Sequence, residues 1–419
     1  MLIRQPYLNT YRRTVSCHNL AILNLLKRRF SVTRHCAYKD YYLTKGVQDS
    51  QLRINLKKPS QLLGVCSSRG TRPTNEDHYC AASLELTDSE RLLKMDKYAE
   101  RAYFGIFDGH GGPVVSEWLV KHLHEYIENV TLDDYHKSLE FLQTYRGYFR
   151  RFPVPSVLKD DVSSNIETKQ KGKDAKLKTN LSLEQRLTLA FLKADVDVLQ
   201  QLRSSLQDAH QDHEGSTGSV AILEPRDKKP FWDSDVYDII IGHVGDTRIL
   251  LCDSRKGEVM QLTTGDHHPG NPAEVERLRK YAGFVTTDSW GDERIMGMLA
   301  TSRAFGDAKL KRYGVSAEPD IVRYKVSTKR NPAAFMVLVT DGITSVLSDQ
   351  EIVDLVKQYK DPNTAAKQLV DTCDQLQSDD NATAMVIRLK DWGKKMQDFT
   401  KDLRTYKLEN TSMSRRQSW

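Results

Sequence analysis

Short runs of Val, Ile, Leu and aromatic residues, set off by Gly, Pro, Asn and Asp, recur along the chain and read as strands. They include Tyr103–Phe107, Ser219–Leu223, Val236–Val244, Arg248–Cys252, Ile321–Val326, Phe335–Val339 and Thr383–Leu389. Ile239-Ile240-Ile241 and Met336-Val337-Leu338-Val339 lack polar alternation, which predicts strands covered on both faces. Between the strands the period becomes helical. Val115, Trp118, Leu119, Leu123, Tyr126 and Val130 follow Pro113. Leu187, Phe191, Ala194, Val198, Leu202 and Leu206 follow a Ser182–Gln185 capping signature. Asn271-Pro272 opens a further helix that Gly283 closes, and Ser348 with Glu351, and Asp361-Pro362, open two more. Strands grouped on either side of helix pairs predict an α/β (α+β) fold, two central β-sheets faced by helices.

Two stretches break this pattern. Residues 150–180 are rich in Lys, Asp and Ser with almost no apolar period, and are expected to form a mobile polar insertion. Residues 393–419 are charged and expected to be a surface tail. No apolar run approaches the roughly 18 residues of a membrane-spanning helix.

The net charge of +6 is concentrated at the start of the chain, in Arg4, Arg12, Arg13, Lys27, Arg28 and Arg29. Without these six the formal charge from Ser31 onward is zero. A phosphate-backbone binder needs a basic face on its folded part, so no nucleic-acid partner is expected. Residues 1–30 are Arg-rich, no acid precedes Asp40, and Leu20, Ile22, Leu23, Leu25 and Leu26 are offered to one side of a helix. These are features of a mitochondrial transit peptide, with cleavage expected between Phe30 and Ser31; a disordered basic tail is the alternative. Cys66, Cys80, Cys252 and Cys373 show no C-x-x-C spacing and are expected to be buried free thiols.

The chemistry lies in carboxylates at strand edges. Glu76-Asp77 follows Arg72; Tyr103–Phe107 runs into Asp108-Gly109-His110-Gly111-Gly112; and Val236–Val244 ends in Gly245-Asp246. Phe335–Val339 passes through Thr340 into Asp341-Gly342, and Asp380-Asn381 precedes Thr383–Leu389. Acids at strand ends converge on one pole of a sandwich, where they repel one another unless a cation neutralises them. Oxygen ligands without cysteine favour Mg²⁺ or Mn²⁺ over zinc. Two such ions about 4 Å apart hold a hydroxide for in-line attack on phosphorus.

The order and spacing of these stretches resemble the metal-dependent Ser/Thr phosphatases of the PPM (PP2C) family. The resemblance runs from about residue 60 to 390 and includes Gly215-Ser216-Thr217, Asp266-His267-His268-Pro269 and the segment Gly297–Asp307. It implies that both sheets are mainly antiparallel. It also implies two ions, bridged by Asp108, with Glu76, Asp341, Asp380 and the Gly109 carbonyl as further ligands and Asp77 holding a metal-bound water. Arg72 would grip the substrate phosphate, and His110 would protonate the leaving oxygen. A third, weaker ion in the family uses the position matching Asp246 and an acid where this chain has Ser345, so that site lacks a carboxylate. His267, His268 and Pro269 are expected to form a turn, and Arg303 and Asp307 a structural ion pair or cap. The expected partners are phosphorylated proteins, on a monomeric enzyme. Its mitochondrial relatives suggest phosphorylated 2-oxo-acid dehydrogenase subunits, such as those of pyruvate dehydrogenase, by analogy. A catalytically inactive regulatory module of the same fold, and a small-molecule phosphatase, are the alternative functions.

Overall fold

In the computed structural model the strand-like runs pair into two five-stranded sheets stacked face to face. The structure describes residues 41–45, 51–56, 60–86, 101–144, 155–158, 181–204, 213–227, 229–281, 284–288, 291, 293–394, 398–402 and 406. The expected transit peptide, Gly283, residues 150–154 and 159–180 of the expected insertion, and residues 395–397, 403–405 and 407–419 of the expected tail lie outside them. One sheet contains β1 (Leu63–Ser68), β6 (Arg248–Asp253), β7 (Val259–Gln261), β9 (Ala333–Val339) and β10 (Ala382–Arg388) in the order β7-β6-β9-β10-β1. The other contains β2 (His78–Leu84), β3 (Arg101–Phe107), β4 (Gly218–Pro225), β5 (Val236–Val244) and β8 (Asp320–Ser327) in the order β8-β5-β4-β3-β2. All these pairings are antiparallel.

Residue alternation within each strand divides the side chains between two cores. In β3, Ala102, Phe104 and Ile106 point between the sheets, while Tyr103 and Phe107 face the helices. In β9, Met336 and Leu338 face the inter-sheet core, and Val337 and Val339 face outward. Both faces are therefore dry, which explains the unbroken apolar runs; each fully buried side chain of this kind is worth about 1.5–3 kcal/mol.

Helices α1 (Val114–Asn129), α2 (Leu132–Thr144) and α3 (Leu183–Ser204) cover the β2–β3–β4–β5–β8 sheet. Helix α1 buries Val115, Leu119, Leu123 and Ile127, one stripe at four-residue spacing. Near the site lie α4 (Pro272–Arg279) and the short α5 (Asp341–Thr344). Helices α6 (Asp349–Val356) and α7 (Pro362–Gln375) cover the other sheet. The expected caps form: Ser182 and Gln185 bond each other's backbone amides, Ser348 and Glu351 make a capping box, and Asp361 accepts from the Thr364 amide. Helix α4 ends at Arg279, before Gly283.

The packed unit extends beyond the expected boundaries. A hairpin of Tyr41–Lys45 with Gln51–Asn55 precedes residue 60. It sets Tyr42, fully buried, edge-on to Phe231 at 5.4 Å between ring centres. Within the expected polar insertion, Ser156–Leu158 forms a 3-10 turn and Leu158 is buried in the core under α1–α3. Gln185 donates to the Val157 carbonyl, so this part of the segment is docked rather than mobile. In the expected tail, the Phe399 amide bonds the Lys256 carbonyl, and buried Lys357 donates to Asp398 and Thr400. Among the described residues these four cysteines form no disulfide, but Cys66 and Cys80 are half-buried; burial is complete at Cys252 and Cys373, whose thiols it pushes up to about 12. No described helix is long and apolar enough to cross a membrane.

Candidate active site

Sheet register gathers the acid-bearing turns at one end of the sandwich. His78, which follows Glu76-Asp77, pairs with Phe107, which precedes Asp108. Val339 pairs with Arg248 on one side and Ala384 on the other. Asp246, Asp341 and Asp380 therefore emerge beside one another. The turns pack backbone to backbone at two glycines. A Cβ on Gly109 would meet the Glu76 carbonyl oxygen at 2.5 Å, and one on Gly342 would meet the Asn381 carbonyl oxygen at 2.0 Å. Asn381 ties the turns together: its Oδ1 accepts from the Glu76 amide, and its Nδ2 donates to the Arg69 and Thr74 carbonyls.

These turns wall a cleft of about 820 Å³, lined by Arg72, Glu76, Asp108, Gly109, His110, Asp246, Asp341 and Asp380 among others. Carboxylate oxygens of Asp108, Asp246 and Asp341 lie within 4.8 Å of one another. Asp77 lies behind them, 5% exposed; its Oδ2 accepts from Thr340 Oγ1 at 2.9 Å, and its Oδ1 is buried with no hydrogen-bond partner among the described residues. Burial first, and mutual repulsion second, push Asp108 and Asp246 above the usual carboxylate range. Asp77 and Asp341 are also raised, by burial first and by the charge of neighbouring carboxylates. Such a set of oxygen donors is costly to hold charged without a cation. The unpartnered Asp77 oxygen and the crowded acids fit hard divalent ions such as Mg²⁺ or Mn²⁺.

Arg72 stands at the rim with its side chain 54% exposed. Its Nη2 bonds Asp380 Oδ2 at 2.8 Å, and its Nε donates to the Asp379 carbonyl. His110 faces the cleft with Nε2 2.9 Å from Asp307 Oδ2. Burial alone would lower the imidazole pKa, but the Asp307 carboxylate, together with the charges of Asp246 and Glu76, holds it above its ordinary value. Ser345 also lines the cleft, and its hydroxyl donates back to the Gly342 carbonyl.

The neighbouring motif residues divide as expected, with one exception. His267 accepts from the Gly245 amide and bonds Asp320, fixing the turn that bears Asp246. Arg303 forms ion pairs with Glu274 at 2.6 Å and Asp320 at 2.7 Å, a structural role. Asp307 is the exception, since its partner is His110 in the cleft itself. The buried pair Asp195–Lys311 beneath Asp307 has no motif around it in the sequence and was not anticipated.

The family profile described as "Protein phosphatase 2C" matches residues 63–382. "Protein phosphatase 2C homolog 4" of Schizosaccharomyces pombe is 36% identical, over 93% of this chain and 98% of its own length. "Protein phosphatase 1K, mitochondrial" of Xenopus laevis is 29% identical, over 81% of this chain and 70% of its own. Among solved structures, a serine-threonine phosphatase 2C from Toxoplasma gondii superposes with a TM-score of 0.55 at 23% identity, over 79% of this chain and 97% of that one.

Proposed function

Since the chain belongs to the protein phosphatase 2C family and is a protein serine/threonine phosphatase, we propose that it hydrolyses phosphoserine and phosphothreonine on mitochondrial proteins, in the cleft around Asp108. The observation that carries the assignment of the cleft is the approach of Asp108, Asp246 and Asp341 within 4.8 Å. Asp108, Glu76, Asp341, Asp380 and the Gly109 carbonyl would hold two divalent ions, and Asp77 would orient a water beside them. When bound, such ions neutralise phosphate charge and bring the pKa of water down toward neutrality.

The remaining steps belong to the chain's own residues. Arg72, already at the rim, exchanges its bond to Asp380 for the phosphate oxygens, which a guanidinium fork matches in shape. As the ester P–O bond breaks, His110 delivers a proton to the seryl or threonyl oxygen, a contribution on the order of 10²–10⁴ in rate. The open cleft admits a protein loop. Ser345 offers a hydroxyl that is engaged with its own helix, which supports two ions rather than three. The mitochondrial assignment is supported by the Arg-rich, acid-free composition of residues 1–30 and by similarity to a relative whose name carries that location.

The test is turnover by the purified chain of a phosphoseryl or phosphothreonyl peptide, a phosphotyrosyl peptide and a sugar phosphate, with Mg²⁺, Mn²⁺ or EDTA. Metal-dependent hydrolysis of the first class alone is expected. Faster turnover of the sugar phosphate would overturn the substrate assignment, and no turnover would favour a regulatory module. A reporter fused to residues 1–30 should reach mitochondria; a cytosolic reporter would overturn the location.

A further inference from the structure

We propose that Asp307 is a positioning residue for catalysis, holding the His110 ring by Nε2 so that Nδ1 is presented to the leaving oxygen. The proposal rests on the reading of His110 as the proton donor. Three independent features of the fold serve this one hydrogen bond.

The first is the bond itself. His110 Nε2 lies 2.9 Å from Asp307 Oδ2, and the aspartate side chain is 3% exposed. Nδ1 of His110 has no hydrogen-bond partner among the described residues, so it is the nitrogen available to a substrate. The second is a strand arrangement that clears the path between the partners. Gly215 pairs with His110 on one side and Gly306 on the other, in a small three-stranded sheet. A Cβ on Gly215 would stand 2.3 Å from Asp307 Oδ2 and 2.4 Å from His110 Nε2. Any side chain there would occupy the space of the bond.

The third feature is the support beneath Asp307. Its backbone has φ +49°, in the left-handed region that non-glycine residues rarely adopt. The surrounding contacts enforce this. The Asp307 amide donates to the Glu214 carbonyl, and the Gly306 amide donates to Asp195 Oδ1. Asp195 Oδ2 pairs with Lys311 Nζ at 2.7 Å, and the same ammonium donates to the Ala304 carbonyl. Two buried charges thus pin the segment 304–307 from below.

The chemistry follows from the geometry. In the protonated ring, Nε2–H donates to Asp307 and Nδ1–H points to the ester oxygen. As attacking hydroxide forms its bond to phosphorus and the ester P–O bond breaks, the Nδ1 proton goes to the departing alkoxide. The ring is left neutral, with its remaining proton on Nε2 still bonded to Asp307. A residue that merely joins two loops would affect every substrate alike. A residue that aims the proton donor matters most where the leaving group needs the proton.

Asp307→Asn keeps the shape and tolerates the left-handed backbone. On a phosphothreonyl peptide its kcat should fall on the order of 10- to 100-fold, a fraction of what the proton donor supplies, with KM within about twofold. On p-nitrophenyl phosphate, whose leaving group needs little protonation, kcat should stay within about threefold. In a His110→Ala background the same substitution should add less than about twofold. Calorimetric Mn²⁺ titration of the two proteins should coincide. Should Asp307→Asn not fold, nitrogen-15 NMR of the wild-type imidazoles with Mg²⁺ should find the neutral His110 ring protonated on Nε2. A ring protonated on Nδ1 alone would overturn the proposal, as would equal losses on both esters or full losses added to His110→Ala. A wild type without metal-dependent peptide hydrolysis would instead overturn the functional reading beneath it.

Discussion

Replacing Lys311 by Met should reveal how firmly the Asp307 segment is held. The Lys311 ammonium and Asp195 carboxylate meet at 2.7 Å with side chains 0% and 2% exposed. Methionine has similar bulk but no charge, so Asp195 would face the interior without a cation and would escape by taking up a proton. Protonating at pH 7 a carboxyl whose ordinary value is 3.8 costs about 4 kcal/mol at about 1.36 kcal/mol per unit, which caps the electrostatic loss. Burial already pushes Asp195 upward in the wild type, against the pull of Lys311, so part of this cost is common to both proteins. The lost bond to the Ala304 carbonyl adds about 1 kcal/mol. A net destabilisation of about 3 kcal/mol at pH 7 is expected, at the lower end for a broken buried pair. A carboxyl raised in the folded state contributes stability that is complete below its unfolded value and lost as pH rises through its folded value. The variant's deficit should therefore shrink on acidification, by at most about 1.4 kcal/mol per pH unit. Urea unfolding of both proteins at pH 7 and pH 5 measures this. A deficit below about 1 kcal/mol at pH 7, or one equal at both pH values, would refute the reasoning.

Other perturbations test separate parts of the account. Saturating Mg²⁺ or Mn²⁺ should raise the thermal midpoint, since an ion at 100 times its Kd adds about 2.7 kcal/mol per site; a scan with EDTA should reverse the shift. Leu158→Ala, in the docked turn of the otherwise polar segment, should cost about 2–5 kcal/mol in urea while leaving KM unchanged. Ser345→Asp should add a weaker binding step to a calorimetric Mn²⁺ titration, because it supplies the carboxylate that the serine lacks.

Both-face burial explains why the inner strands were legible in the sequence. The runs at Ile239–Ile241 and Met336–Val339 lie in central strands between two cores. The edge strands β1 and β2, LGVCSS and HYCAASL, carry Ser, Ala, Cys and Gly at positions where an apolar pattern would announce them, so the surroundings of Cys66 and Cys80 read as strand-like without defining where the strands begin and end. Leu158 stands with Val157 in a short apolar stretch that has neither helical nor strand period, and its burial depends on helices distant in sequence. The acids of the site were legible because each sits at a strand end beside a turn residue. Asp307 was visible only as part of a motif, since the bond that defines its role closes over 197 residues. The support from Asp195 and Lys311 is likewise a product of packing, with no local pattern to mark it.

The central claim is that Asp108 joins its neighbours in holding the ions on which hydrolysis depends. Mn²⁺ titration by calorimetry, paired with phosphopeptide hydrolysis on the same samples, tests it most directly in wild type and Asp108→Asn. The wild type should bind about two ions per chain and hydrolyse the peptide in step with their binding. Asp108→Asn should unfold at a similar urea concentration without metal, yet bind Mn²⁺ weakly and lose nearly all activity, because a neutral amide is a far poorer ligand for a hard dication than a carboxylate. Equal Mn²⁺ affinity and equal hydrolysis in the two proteins would contradict the account.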